Sequence, residues 1–290
     1  MTRQNNPLLS YAKNVFSQNG EDGVIERILE LIPETSRWCV ELGAWDGKHL
    51  SNTHHLMIHR GWSGVFIEGN PVKANELKRT YADNAGATCI TTLASFDGDN
   101  ALDVILSKTK IPKQFGILCI DIDGNDYHVW DSLKKYNPVI VVIEFNPSIP
   151  AHIEFVQPKD MGVNQGSSLA SLTALGRTKG YELIATTSHN AFFVLEKFYS
   201  RFSLVNNTPE ALKDRRLEID IFQLYDGTIV MRGAPRMLWH GIHIRPKDVQ
   251  MIPFYFRQYP GSMGHWRFFM FRAWRKFRVL REKIFNARHR

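Results

Sequence analysis

The order of apolar runs in this 290-residue chain predicts an α/β fold, a doubly wound and mostly parallel seven-stranded sheet closed by an antiparallel hairpin. Three observations carry the prediction. Five short runs, in "RWCVEL", "GVFIE", "ATCITT", "FGILCIDI" and "VIVVIEF", read as strands, and those near-continuous in apolar residues suit burial on both faces. Segments with helical spacing separate them, and that alternation builds βα units on a parallel sheet. Finally, "YELIATTSHNAFFVLEK" holds two strand-like halves around a polar turn, too close together for a crossover helix, so they pair antiparallel.

The elements follow in order. "GVIERILEL" places Val24, Ile28 and Leu31 on one helical face, and Pro33 stops it. The first strand ends at Glu41 in the turn "ELGAWDG". A helix follows in "SNTHHLMIHRG", with Ser51 or Asn52 as its cap. The second strand ends at Glu68, and Pro71 opens the next helix. The third strand and the helix "ALDVILSK" lead to the fourth strand, which runs into Asp121 and Asp123. "DYHVWDSLKKY" is a helix, and the fifth strand ends at Glu144 before Asn146 and Pro147. Residues 148–166 form a loop long enough to act as a lid. "SSLASLTALGRTKG" is a helix with a glycine stop, and the hairpin closes the sheet. Residues 200–262 give no clear pattern. Three domains are expected: 1–199, an irregular 200–262, and a basic amphipathic helix over 263–290.

Composition narrows the class. The opening "MTRQNNPLLSYAKN" has no apolar h-region, so no signal peptide is expected. No apolar run of 18 residues exists, so no membrane span is expected. Cys39, Cys89 and Cys119 lie in or beside strand-like runs without metal-site spacing and read as reduced core residues of a cytoplasmic protein. Residues 265–290 carry nine Lys/Arg against Glu282 alone, whereas residues 1–264 sum to −1. The basic character therefore belongs to the C-terminal segment, and no nucleic-acid partner is expected for the body.

Four strands end in carboxylates: Glu41, Glu68, Asp121/Asp123 and Glu144. Ligands of open α/β sheets bind at the carboxyl ends of the strands, so these acids mark one rim. The first turn is neither GxGxxG nor a P-loop, which points away from phosphate. Glu68 lies 23 residues beyond Trp45, an offset at which an acid accepts a ribose hydroxyl. A phosphate-free nucleoside carrying an amino acid, S-adenosylmethionine (SAM), fits the pattern. "DIDGND" also resembles the start of a calcium loop, but an EF-hand from Asp121 needs Gly and Glu where Asp126 and Ser132 stand.

In this order, "VELGAWDG", "SNT", "GWSGVFIEGNP" and "IDIDGNDYHVW" resemble the class I SAM-dependent methyltransferases, and more narrowly the FkbM-like group with its Star-like branch. The lead-in "FSQNGEDGVIERIL" and the closing "SLASLTALGRTKGYELIATTSHNAFFV" are similar to that branch, so the likeness spans roughly residues 15–197. The group usually shows D-x-E-G after the fourth strand, and this chain has Asp123 in place of the Glu. The resemblance implies a Rossmann-like fold and a SAM cofactor. Glu41, Gly43, Ala44, Trp45, Asp46 and Gly47 would hold its methionine part, Glu68 and Asn70 its ribose. The segment Ala94–Asp97, with Ser95 and Asp97, would flank the adenine, and Gln18 and Asp22 would close over it. It also implies transfer to a hydroxyl of a sugar, glycan or natural product.

A hydroxyl is a poor nucleophile until its proton is taken, and Asp121, Asp123, His128 and Glu144 are the candidate bases. Close carboxylates repel unless they share a proton or a cation, so Asp121, Asp123 and Glu144 are also candidate ligands for Mg²⁺ or another divalent ion. His54 and His55 lie on the helix after the first turn and are weaker candidates for the pocket. In the C-terminal segment, Trp266, Met270, Ala273, Phe277, Leu280 and Ile284 recur at helical spacing among arginines and lysines. That pattern suits a helix lying on an anionic membrane surface, peripheral at the inner face. The competing reading is a non-catalytic SAM-fold binding module at a membrane, and an oligomer fits either.

Overall fold

A computed structural model describes residues 6–233 and 236–288, with side chains as far as Arg281. The chain divides into two units, Met1–Leu217 and Glu218–Arg290. Residues 200–217, grouped with the irregular region by sequence, thus belong to the first unit: Phe202 and Leu212 are buried there, and Thr186 Oγ1 donates to the Leu212 carbonyl.

The first unit holds strands β1 (Trp38–Leu42), β2 (Ser63–Glu68), β3 (Ala87–Thr91), β4 (Ile117–Ile120), β5 (Ile140–Glu144), β6 (Tyr181–Thr186) and β7 (Asn190–Leu195). Its helices are α1 (Glu21–Leu31), α2 (His54–His59), α3 (Pro71–Thr80), α4 (Leu102–Ser107), α5 (Asp126–Ser132), α6 (Leu169–Thr178), α7 (Glu196–Tyr199) and α8 (Pro209–Leu212). The sheet order is β3-β2-β1-β4-β5-β7-β6. All neighbours are parallel except β7, which runs antiparallel between β5 and β6. The predicted doubly wound sheet and its closing hairpin are both present. Every residue of β4 and β7 is buried, whereas β3, at the edge, is half-open, as its Thr-rich sequence suits.

Asn70 Oδ1 accepts the amides of Val72 and Lys73, and Pro71 fills the first turn where no amide is needed, so α3 starts where predicted. The start of α2 differs. Its flanking residue is Thr53, while Ser51 Oγ accepts the amides of Thr53 and His54 from two positions further back. Trp130 of α5 packs on Phe193 of β7 at 5.0 Å between ring centroids. A Cβ on Gly176 would stand 3.0 Å from Phe193 and 3.1 Å from Trp130. A glycine inside α6 costs helix propensity, and here it lets the helix seat against both rings.

The second unit holds a hairpin, β8 (Ile219–Gln223) and β9 (Ile229–Gly233), and the 24-residue helix α9 (His265–Arg288). The hairpin had no counterpart in the sequence reading: its exposed strands lack the continuous apolar run of a buried strand. Among the described residues, no helix is long and apolar enough to cross a membrane.

Candidate functional site

Strand order reverses between β1 and β4, and a cavity of about 530 Å³ opens at their carboxyl ends. It is lined by the β1 turn (41–45), by 49–52, by the β2 end (67–70), by 92–94 after β3, and by Cys119 and 121–123 after β4.

The turn after β1 is drawn tight by its neighbours. The amides of Gly43 and Ala44 both donate to the Ile67 carbonyl, at 3.0 and 3.1 Å. Gly43 has φ +71°, and a Cβ there would lie 1.8 Å from the Asp121 carbonyl oxygen. Only glycine allows β1 and β4 to approach so closely with the chain in the left-handed region. Trp45 also has positive φ, 49°, a strained value for a bulky residue. Its amide donates to Glu68 Oε2 at 2.8 Å. Glu68 Oε1 takes the Asn70 amide at 2.6 Å. Each of these oxygens keeps acceptor capacity, and Glu68 lines the cavity.

Glu41 lies in the same wall with its carboxylate committed inward. Oε2 accepts the hydroxyls of Ser51 and Thr53 at 2.7 and 2.6 Å, and Oε1 accepts the Asn52 amide at 2.9 Å. Burial pushes its pKa up, against these hydrogen bonds. Glu41 therefore holds the 51–53 turn in place while it lines the cavity.

Other predicted residues turn away from the cavity. Asp46 Oδ1 accepts the amides of Lys48 and His49, and neither Asp46 nor Gly47 lines it. Asp22 Oδ2 accepts the amides of Val15, Phe16 and Ser17 at 2.7–2.8 Å. That carboxylate fastens the lead-in to α1, and Gln18 is exposed outside the cavity. Ser95 and Asp97 lie beyond the wall, and Thr92, Leu93 and Ala94 line it instead, because β3 ends at Thr91 and the chain leaves the rim within one turn. His49 and Leu50 also line it. Only the tight turn before them signals this, since Leu50 takes φ 59°. His54 pairs with the Tyr81 hydroxyl at 2.9 Å and His55 with Glu26 at 2.8 Å, so neither reaches the cavity.

The acids after β4 divide into two sets. Asp126 is buried and accepts the amides of Ile122 and Gly124, both at 2.9 Å, which shapes the turn. Asp121 and Asp123 open onto the cavity, and Glu144 stands behind them. One carboxylate oxygen from each of Asp121, Asp123 and Glu144 lies within 4.8 Å of the others. Burial, then the neighbouring carboxylates, raises the pKa of Asp121 and of Glu144. Carboxylates so placed repel one another unless they share a proton or a cation.

His128, an expected base, does not line the cavity. It is buried, with Nε2 2.9 Å from the Gln157 carbonyl, and its ring lies edge-on to Phe96. As donor, Nε2 fixes the predicted lid loop on α5. Gln157 in turn caps that loop internally: its Oε1 accepts the amides of Gln165 and Gly166, and its Nε2 donates to Val163. Asn164 donates to the Asp123 carbonyl at 2.9 Å, tying the loop to the acid turn.

No protein-family model and no curated protein matches the chain. Among solved structures, it is similar to the N-terminal domain of EvdMO1 with SAH bound (12% identity over 62% of this chain and 81% of that one, TM-score 0.40). It is also similar to the CurJ carbon methyltransferase (10%, 64% and 56%, 0.41) and to a SAM-dependent methyltransferase from Aquifex aeolicus (9%, 65% and 92%, 0.36). The fold is a Rossmann-like one: a mostly parallel seven-stranded sheet whose seventh strand is reversed.

Proposed function

We propose that the protein is a SAM-dependent O-methyltransferase of the FkbM-like kind, acting on a hydroxyl of a sugar or glycan. The observation that carries this reading is Glu68: a carboxylate in the cavity wall, held by the Trp45 and Asn70 amides, with acceptor capacity left for vicinal hydroxyls. The wall offers no phosphate cradle, and the Gly43 turn lets a ligand approach the backbone closely. SAM, when bound, supplies an activated methyl group, so alignment accounts for much of the rate.

The chain's own residues supply the rest. Glu68 would hold the ribose and residues 92–94 would flank the adenine. The turn 43–45, with the backbone at 49–52, would receive the amino-acid end. Asp121 opens on the cavity and has a raised pKa, which suits it to take a hydroxyl proton near neutral pH. Glu144 behind it is the partner that shares the proton. Titration calorimetry with SAM and with SAH tests the reading: micromolar binding, weakened at least about tenfold by Glu68→Ala, supports it. Absence of binding by a folded chain overturns it.

A second reading rests on the triad Asp121, Asp123 and Glu144, whose oxygens lie close enough to share a divalent ion. Such an ion would hold all three carboxylates ionised and acidify a bound hydroxyl. A rise in melting temperature with millimolar Mg²⁺, lost in Asp123→Asn, supports it. Full methyl transfer in EDTA removes it.

A further inference from the structure

Among the described residues of helix α9, one face packs within its own unit and a row of large apolar side chains on another faces water. Arg267, Phe271, Trp274 and Arg278 are half-buried. Phe256 packs on Phe271 and Trp274, at 5.9 and 5.8 Å between centroids, and the Arg267 guanidinium lies 4.6 Å over the Tyr255 ring. The exposed row is Trp266, Phe269, Ala273, Phe277 and Leu280, spaced 3, 4, 4 and 3 residues apart and so on one line of the helix. It sits about 100° around from the packed face. Trp266 is 72% exposed, Phe269 63%, Phe277 67% and Leu280 56%. Four large apolar side chains in one exposed row are more than a water-facing helix needs. The sequence reading put Trp266, Ala273, Phe277 and Leu280 on one apolar line, and they are the exposed one. Met270, placed with them, is half-buried. The side chain of Ile284 lies outside the described residues.

Charge identifies what covers this row. Residues 265–281 carry six Lys/Arg and no acid. Arg272 and Lys276 run along one border of the exposed row, and Arg281 lies along the other. A protein partner or a second copy would have to meet both an apolar row and basic borders. An anionic bilayer surface offers both at once: acyl chains for the row and headgroup phosphates for the borders. Tryptophan and long basic side chains are the residues that settle at that boundary. We propose that α9 lies in the plane of an anionic membrane, with Trp266, Phe269, Phe277 and Leu280 inserted and Arg272, Lys276 and Arg281 at the headgroups.

Vesicle flotation of the full chain tests this. Phosphatidylcholine vesicles with about 30% phosphatidylserine are expected to carry at least about tenfold more protein than pure phosphatidylcholine, and about 0.5 M salt is expected to remove most of the difference. The double variant Trp266→Asp/Phe277→Asp is expected to lose flotation at least about tenfold with an unchanged melting temperature, since both side chains are exposed. Arg272→Glu/Lys276→Glu is expected to lose the preference for anionic vesicles. Equal flotation of wild type and the Trp266/Phe277 variant overturns the proposal, as does equal recovery on neutral vesicles. So does a dimer in solution that this variant converts to monomer while neither form floats, because the row would then be a contact between copies.

Discussion

Phe193 and Phe277 are the same side chain under opposite conditions. Phe193 is fully buried in β7, against Trp130 and beside Gly176. Phe277 on α9 is 67% exposed. The contrast runs through both units. Among the described residues, every fully buried apolar side chain lies at or before Leu212, whereas Tyr225, Trp239, Phe254, Trp266 and Phe277 are all more than half exposed. Residues 218–290 hold fourteen Lys/Arg against five Asp/Glu, a net +9, and the whole chain is +7, so residues 1–217 are slightly acidic. The first unit uses its apolar residues for a core that fixes a cavity. The second keeps many of its own at the surface, where they contribute little to its own folding and are available for contact.

The contrast can be broken in four places. Phe193→Ala is expected to destabilise the first unit by about 3–5 kcal/mol in urea melts, because it empties a closed site. Gly43→Ala is expected to cost about 2–4 kcal/mol, through backbone strain and the collision with the Asp121 carbonyl, and to abolish SAM binding. A loss of binding without a loss of stability would mean that the turn adapts.

The third test uses pH. Asp121, Asp126 and Glu144 all have raised folded pKa values, with burial the first cause of each. The folded state therefore keeps protons that the unfolded chain releases near pH 4. Their contribution is fully present below that value and is lost as pH rises through the raised folded values. Urea midpoints are expected to fall from pH 5 to pH 8, and Glu144→Gln is expected to flatten the fall and to gain on wild type at the alkaline end. A profile unchanged by Glu144→Gln would remove the shared proton from the site. The smallest effect is expected at Phe277→Ala, within about 0.5 kcal/mol of wild type, since the side chain already faces water. A cost above about 2 kcal/mol would show that α9 is buried in solution.

Much of the fold was legible because parallel strands announce themselves. β1, β2, β4 and β5 are buried on both faces and need continuous Val and Ile, and each ends in an acid that the cavity uses or packs against. Pro71 was legible for a local reason, since a residue that lacks an amide suits the first turn of a helix, whereas the Asn70 cap before it was supplied by the structure. The uses of the acids were less visible. Glu41 is occupied by residues 51–53 and Asp22 by residues 15–17, and nothing in either motif states that those oxygens are taken. His128 read as a candidate base because the loop that buries it returns some 29 residues later. In α9 the helical period offered more than one apolar line, and a sequence apolar on two faces does not say which one packs.

The sequence by itself determined the seven strands of the first unit, their order along the chain, the rim of acids and the basic terminal helix. These rest on local rules of period, capping and charge. Tertiary structure decided which carboxylate oxygens stay open, that Asp121 and Glu144 stand close enough to share a proton, and which stripe of α9 faces water. The physical reason is that an acid's function depends on the lone pairs its neighbours leave it and on how far water reaches, and in this chain those neighbours arrive from distant segments.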